Sequence, residues 1–448
     1  MDFKRYLIEK IFRPLYFFKE GQNWGPIQKY LADSQYFPDE KLKEIQLENL
    51  KALVKYASEH CRYYHDLFES WGISSSAINS LSDLEKIPIL GKEDIRNSLD
   101  LMISDEFERD RLYPIRTGGS TGYPLKLFSD SHGMEFRQCV ALRHDFWAGY
   151  SPGKKLAAIW GDTDKKYTFK EKLRNALLQR TIYLDTLKMN REYMLGFVKR
   201  VRKFKPKYMM GHSHSIYMLA CFVEKNKIDI LDLEGIITTA EMLYDNERKK
   251  IEAVFGNVVY NRYGCEEVGL IASECERHDG LHINADGLIV EAVGATETEP
   301  GRLIITDLKN HAVPLIRYEI GDLATVRNDP CACGRGLPRL GKITGRTSDF
   351  LYTPDGRMIS GISILDTYVI HIEGFDQVQI VQNKIDELDF NIVKSDNFTG
   401  KSVEILKETI QKVFGAPMKC NINYVDEIPA TARGKFRFTV CNIDEPGR

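Results

Sequence analysis

From about residue 110 onward the sequence alternates short apolar runs with amphipathic stretches of ten or more residues. A sheet covered by helices is the arrangement that buries both patterns at once. Segments 155–160, 235–239, 257–263, 288–292 and 302–306 read as strands, and 134–148, 191–204, 215–225 and 244–255 as helices. Before this region the chain is mostly helical. In 43–60, Leu47, Leu50, Val54 and Ala57 fall on one helical face, and 63–71 continues as an aromatic-rich helix.

Residues 327–357 are rich in glycine, proline and charge and read as a loop at a domain boundary. Beyond it, 375–381 and 386–392 alternate like the strands of a hairpin, 402–414 is helical, and 421–425 is a further strand. The expected architecture is α/β: a large N-terminal α/β lobe with central sheets and a small C-terminal α+β lobe joined by a hinge. Within it, 1–100 is the helical part of the large lobe, 101–348 its α/β core, and 349–448 the mobile small lobe. No internal repeat is visible.

Composition narrows the function classes. Lys plus Arg number 62 and Asp plus Glu 64, for a net charge of −2, so a nucleic acid partner is not expected. No apolar run approaches the roughly 18 residues of a membrane span. Nine cysteines scattered through 448 residues fit a reducing compartment better than a disulfide scaffold. The first 20 residues lack the pattern of a secretion signal, because Lys4, Arg5, Lys10, Arg13 and Lys19 interrupt the apolar positions. A cytoplasmic location is the expectation. In the same stretch Tyr6, Leu7, Ile11, Leu15 and Phe18 recur at helical spacing. That pattern suits a helix packed on the protein body, and also peripheral contact with an anionic membrane.

The sharpest motif is the loop Thr117, Gly118, Gly119, Ser120, Thr121 and Gly122, preceded by Arg116 and followed by Tyr123 and Pro124. Its glycines allow tight turns that aim N–H groups at an anion, and its hydroxyls add donors. It lacks the Gly-Lys-Ser/Thr of a P-loop, and the strand-like run after Pro124 sets it at a hairpin. By itself such a loop is more often a plain turn than a phosphate site. Further segments follow: Thr239-Ala240-Glu241 after an apolar strand, and Tyr263-Gly264 with Glu266 closing another. Asp322 sits in what reads as a tight turn, Arg346 and Asp349 at the lobe boundary, and Lys435 in a flexible loop.

The order and spacing of these segments resemble the adenylate-forming superfamily, in its branch of phenylacetate–CoA ligases and capsule-biosynthesis (CapK-like) relatives. The resemblance runs from about residue 43 to 440, nearly the whole chain. It implies an ATP- and Mg2+-dependent enzyme that converts a carboxylic acid to an acyl-adenylate, releasing pyrophosphate. The acyl group then passes to coenzyme A or, alternatively, to an amine; a non-catalytic nucleotide-binding protein is the reading from another class. By the same resemblance Thr117, Gly118, Gly119, Ser120, Thr121 and Gly122 hold the β- and γ-phosphates, and Glu266 binds Mg2+. Tyr263 and Gly264, with Ala240 and Glu241, receive adenine. Asp322 accepts the ribose hydroxyls with Arg346 beside it, Asp349 is the hinge, and Lys435 neutralises charge between carboxylate and α-phosphate. The chain departs from many members at Gly118, where serine is common, and at Tyr123, where a lysine is common. The loop therefore offers one cation fewer.

Other side chains carry chemistry of their own. Cys275 and His278 are spaced Cys-x2-His, and Cys331 and Cys333 Cys-x-Cys. Three thiolates and an imidazole suit a closed, structural tetrahedral Zn2+ site, with His282 an alternative nitrogen donor; the competing reading is free thiols and a surface histidine. His212 and His214, at a strand-to-helix turn, read equally as acyl-pocket or structural residues. The basic run 199–207 suits the phosphates of coenzyme A or a solvated helix end. The helical N-terminal region is compatible with a homodimer.

Overall fold

A computed structural model of the chain describes residues 2–19, 24–116, 125–160, 173–186, 189, 191–228, 233–346, 350–354, 358–360, 364, 369, 372–414, 418–428, 437 and 439–443. The Gly/Ser/Thr loop from Thr117 to Gly122, Asp349 and Lys435 lie outside the described residues.

The N-terminal segment forms α1 (Phe3–Leu7) and α2 (Arg13–Lys19), joined by a wider π-type turn at Ile8–Phe12. Ile8 is fully buried against Gly153, while Asp2 pairs with Arg180 and Glu9 accepts from Ser151. This is the docked helix that the amphipathic spacing allows. Its outer apolar residues remain at the surface: Phe3 is 70%, Leu15 61% and Phe18 86% exposed.

Next come α3 (Trp24–Ser34), α4 (Asp39–His60), α5 (Arg62–Trp71) and α6 (Lys92–Met102). Helix α4 starts after Pro38 with Asp39 and Glu40 in its first turn, where acidic groups complement the helix dipole. It buries Leu42, Leu50, Leu53, Val54 and Ala57. Together with Tyr64 and Phe68 of α5, the last four pack on Ile271, Leu303, Ile305 and Tyr318 in one core.

Strands β1 (Tyr113–Arg116) and β2 (Lys126–Ser129) pair antiparallel, Arg116 opposite Lys126. After α7 (Ser131–Trp147) the chain lays down β3 (Leu156–Trp160), β4 (Thr181–Asp185), α8 (Arg191–Phe204), β5 (Tyr208–His212), α9 (Ser213–Lys225), β6 (Gly235–Thr239), α10 (Asp245–Phe255) and β7 (Val259–Cys265). Strands β4, β3, β5, β6 and β7 lie side by side and parallel. Parallel strands are covered on both faces, which is why β3 and β6 read as continuous apolar runs. Phe197 and Val201 of α8, Ile216 and Leu219 of α9 and Ile251 of α10 bury them.

The sheet continues through β8 (Gly269–Ser273), β9 (Leu281–Ile283), β10 (Leu288–Val293), β11 (Gly301–Asp307), β12 (Tyr318–Arg327) and β13 (Arg339–Arg346), with β7–β8, β8–β9, β9–β13 and β10–β11 antiparallel. Its eleven strands run in the order β10-β11-β12-β13-β9-β8-β7-β6-β5-β3-β4. Asp322, expected in a tight turn, lies instead within β12. Gly321 ahead of it takes the positive φ of 84°, so the glycine bends the strand without ending it.

By backbone contacts the chain divides into two compact units. One comprises Met1–Leu243, Lys250–Ile320 and Ala324–Ile343; the other Tyr244–Lys249, Gly321–Leu323 and Thr344–Arg448. Beyond the short β14 (Phe350–Tyr352) and β15 (Met358–Ser360), the second unit holds β16 (Phe375–Lys384), β17 (Glu387–Lys394), α11 (Gly400–Phe414), β18 (Lys419–Tyr424) and β19 (Thr439–Cys441). Its four-stranded sheet is ordered β18-β17-β16-β19, the β16–β17 hairpin at the centre and parallel partners outside. Leu406, Ile410 and Phe414 of α11 pack with Ile380, Leu388 and Phe390. Among the described residues no helix is long and apolar enough to cross a membrane.

Candidate active site at the ends of the parallel strands

Strands β3, β5, β6 and β7 point the same way, so their carboxyl ends share one edge of the sheet, where α/β proteins place ligands. Most of the described motif residues sit at that edge. His212 ends β5 opposite Thr239, and Ala240 and Glu241 follow β6 directly. Thr238 pairs with Asn261, so Ala240 leaves β6 near the end of the β6–β7 pairing. Ala240 holds a φ of 67°, rare for a residue with a β-carbon, so the chain turns sharply as it leaves the strand.

Glu241 ties two of these ends together. Its carboxylate accepts from the backbone N–H of His214 at 3.1 Å, in the first turn of α9, and its carbonyl accepts from Ser213 Oγ at 3.1 Å. An acidic group there is favoured by the helix dipole. His212 Nδ1 lies 3.9 Å from the same carboxylate, and its ring stacks edge-on against Trp160 at the end of β3. Glu241 thereby anchors the segment that carries both histidines.

The β7–β8 turn presents Glu266. Gly264 is required just before it, because a β-carbon there would come 2.6 Å from the carbonyl oxygen of Gly269 and 2.9 Å from Leu270 Cα. Of the tandem acids, Glu266 is exposed and Glu267 buried. Tyr318 Oη donates to Glu267 Oε1 at 3.0 Å, taking that carboxylate into the core. Arg137 of α7 donates to the carbonyls of Glu266 and Glu267 and pairs with Asp307 at 2.9 Å, clamping the turn from outside. An exposed carboxylate is the donor chemistry that a hard cation such as Mg2+ takes, so Glu266 fits the role and Glu267 does not.

Strand β7 is fixed from below by Arg262, which meets Asp145 of α7 at 2.7 Å. Burial pushes the Asp145 carboxyl up and the guanidinium pulls it back. Arg346 closes β13, while Asp322 is buried on β12. The basic run ends α8, where cations complement the helix dipole, and Arg200 donates to the carbonyl of Tyr183. Arg137, Trp160 and the Glu267–Tyr318 pair escaped the sequence reading. Arg137 and Glu267 are separated by 130 residues, and no local pattern marks such a contact.

A separate cluster joins Cys275, His282, Cys331 and Cys333, whose ligand atoms all lie within 4.8 Å of one another. The nitrogen here is His282, not the expected His278. His278 occupies a left-handed turn position (φ 51°), with Nδ1 3.3 Å from Glu274 and its ring against Tyr260, so its imidazole is held apart from the thiols.

Comparison with known proteins bears on the fold and the sequence as a whole. Residues 351–442 match the family model described as the CapK C-terminal domain. Over 420 residues the chain is 25% identical to Protein CapK of Staphylococcus aureus, covering 90% of each. It is 28% identical over 393 residues to a phenylacetate-coenzyme A ligase of Thermus thermophilus, covering 82% of this chain and 85% of the relative. Among solved structures, a 2-hydroxyisobutyryl-CoA ligase in its postadenylation state superposes with a TM-score of 0.71 at 20% identity, over 92% of both chains. The amide bond synthetase McbA from Marinactinospora thermotolerans gives a TM-score of 0.53 at 12% identity, over 73% of this chain and 68% of that one.

The fold is that of these adenylate-forming ligases. In sequence the chain is similar to CapK and to phenylacetate–CoA ligases over most of its length, and its residues 351–442 match the CapK C-terminal domain.

Proposed function

We propose that this protein activates a carboxylic acid with ATP and passes the acyl group to the thiol of coenzyme A. In the first half a carboxylate oxygen attacks the α-phosphorus, the bond to pyrophosphate breaks, and an acyl-adenylate forms. In the second the thiolate sulfur attacks the acyl carbon and AMP leaves. The observation that carries this reading is the gathering of Ala240, Glu241, Tyr263 and Glu266 at the carboxyl ends of β6 and β7, in a chain alignable over most of its length with acid–CoA ligases.

Each residue has a task in this scheme. The hydroxyls and amides of Thr117, Ser120, Thr121 and the loop glycines bind the β- and γ-phosphates. Glu266 takes Mg2+, which supplies charge neutralisation at the phosphate oxygens. Tyr263, Gly264, Ala240 and Glu241 form the adenine end. Asp322 orients the ribose, with Arg346 beside it. Lys435 stabilises the charge that develops as carboxylate meets phosphate, and Asp349 is the hinge residue. Aromatic acids are the favoured substrate class, because four of the curated relatives are named phenylacetate–CoA ligases.

A second reading shares the first half but ends on an amine, giving an amide. The overlap with an amide bond synthetase and the alignment with CapK along 90% of both chains favour keeping it. Carboxylate-dependent ATP–pyrophosphate exchange over aromatic, aliphatic and amino acids tests the shared half, and product mass with coenzyme A or amines separates the two. Lys435→Ala is expected to lower exchange by about 10²–10³-fold, the usual cost of losing one preorganised charge stabiliser. Undiminished exchange in that variant, or ATP binding without exchange for any acid, overturns the reading.

A further inference from the structure

We infer that Cys275, His282, Cys331 and Cys333 hold one zinc ion in a closed site of three sulfurs and one nitrogen, and that this ion fastens the N-terminal helical layer to the sheet. Cys275 follows β8, His282 lies on β9, and the other two cysteines sit in the turn between β12 and β13. The sheet order β12-β13-β9-β8 makes these strands neighbours.

The distances fit a metal. Cys275 Sγ and Cys331 Sγ are 3.7 Å apart; two thiolates on a tetrahedral ion, each bonded at about 2.3 Å, stand about 3.8 Å apart. His282 Nε2 is 3.3 Å from Cys333 Sγ. Its other nitrogen, Nδ1, lies 3.0 Å from the carbonyl of Leu337. A carbonyl only accepts, so Nδ1 carries the proton and Nε2 turns a lone pair toward the sulfurs. Metal-bound histidines are held by this arrangement.

The sulfurs are prepared in the same way. The amide of Arg277 donates to Cys275 Sγ and that of Arg335 to Cys333 Sγ, both at 3.4 Å and both two residues further along. One backbone N–H thus fixes the direction in which each of these two sulfurs is presented. Four protein ligands leave no position for substrate, so the ion is structural.

Its purpose follows from what the cysteine turn grips. Just after Cys333, the Gly336 amide donates to the Gln35 carbonyl at 2.9 Å, and Arg335 Nε donates to Gln35 Oε1 at 3.1 Å. Trp147 Nε1 donates to the same oxygen at 2.8 Å, and the Trp147 ring lies edge-on to His282. Gln35 immediately follows α3, so fixing the turn also fixes the seat of the helical layer. The inference is independent of the proposed reaction.

The test is elemental analysis and zinc-edge X-ray absorption on the full-length protein as isolated from zinc-supplied cells. One zinc per chain with three sulfurs and one nitrogen is expected in the wild type and in His278→Ala. His282→Ala and Cys333→Ser are expected to lose it, and a chelator to lower the wild-type melting temperature. If the cysteine variant fails to fold, the wild-type absorption spectrum still decides the ligand set. Absence of stoichiometric zinc, a Cys275–Cys331 disulfide in the alkylated protein, or dependence on His278 instead of His282 overturns the inference.

Discussion

Tyr318 Oη donates to Glu267 Oε1 at 3.0 Å inside the core, and this one bond separates the roles of two adjacent glutamates. Glu267 becomes a structural acceptor, and Glu266 is left facing solvent at the turn. Glu266→Gln is therefore expected to lower pyrophosphate exchange by about 10²-fold or more with little change in melting temperature. Glu267→Ala strands a buried hydroxyl and is expected to cost about 1–3 kcal/mol in denaturant unfolding. Equal loss of stability in both variants would count against the division.

Gly264 of β7 lies against the backbone of Gly269 and Leu270 in β8. Gly264→Ala sets a β-carbon against main-chain atoms that have no rotamer to escape into, and should destabilise by about 1–3 kcal/mol while displacing Tyr263 and Glu266. Gly196, inside α8, has nothing within 4 Å of an added β-carbon. Gly196→Ala should instead stabilise by roughly 0.5–1 kcal/mol, the usual helix-interior difference. Thermal unfolding of the pair reads both signs.

His144 is buried, with Nε2 2.7 Å from Asn284 Oδ1 and Arg143 and Arg262 nearby. Burial first, then those cations, holds its pKa well below 6.5. In the unfolded chain it titrates near 6.5, so below that pH the unfolded state binds a proton that the native state refuses. Stability from this group is complete above pH 6.5 and falls as the pH drops, by up to about 1.4 kcal/mol per pH unit. In His144→Gln the acid-side slope should be shallower than wild type by that amount. Urea unfolding of both proteins between about pH 5 and 7.5 gives the comparison; parallel curves would contradict it.

Phe3, Tyr6, Ile11, Leu15 and Phe18 are all exposed on a segment whose five basic residues outnumber its two acidic ones. Ile8 already anchors the helix to the body, so this outer stripe is surplus to folding. An apolar stripe beside basic residues is the pattern of helices that lie on anionic bilayers. Co-sedimentation with phosphatidylglycerol vesicles at low salt is expected, weakening with added salt and lost in the triple variant Phe3→Ser, Leu15→Ser, Phe18→Ser. Failure of the wild-type protein to sediment at low salt would end the idea.

The sequence by itself determined the elements. Apolar periodicity marked α4, α8 and β6 to within a few residues, because burial of one face is written into neighbouring positions along the chain. It also supplied the ordered motif residues, since glycine at a close crossing and carboxylates at strand ends are local requirements. What only the tertiary structure decided was where each of two similar side chains is placed. Glu266 rather than Glu267 faces out because Tyr318, 51 residues later, claims the second. His282 rather than His278 joins the thiols because Leu337, 55 residues away, orients its ring, while Glu274 holds the other. Asp322 continues a strand because Gly321 absorbs the bend. These outcomes rest on hydrogen bonds or backbone geometry that exist only after the sheet has assembled, and periodicity along the chain carries no record of them.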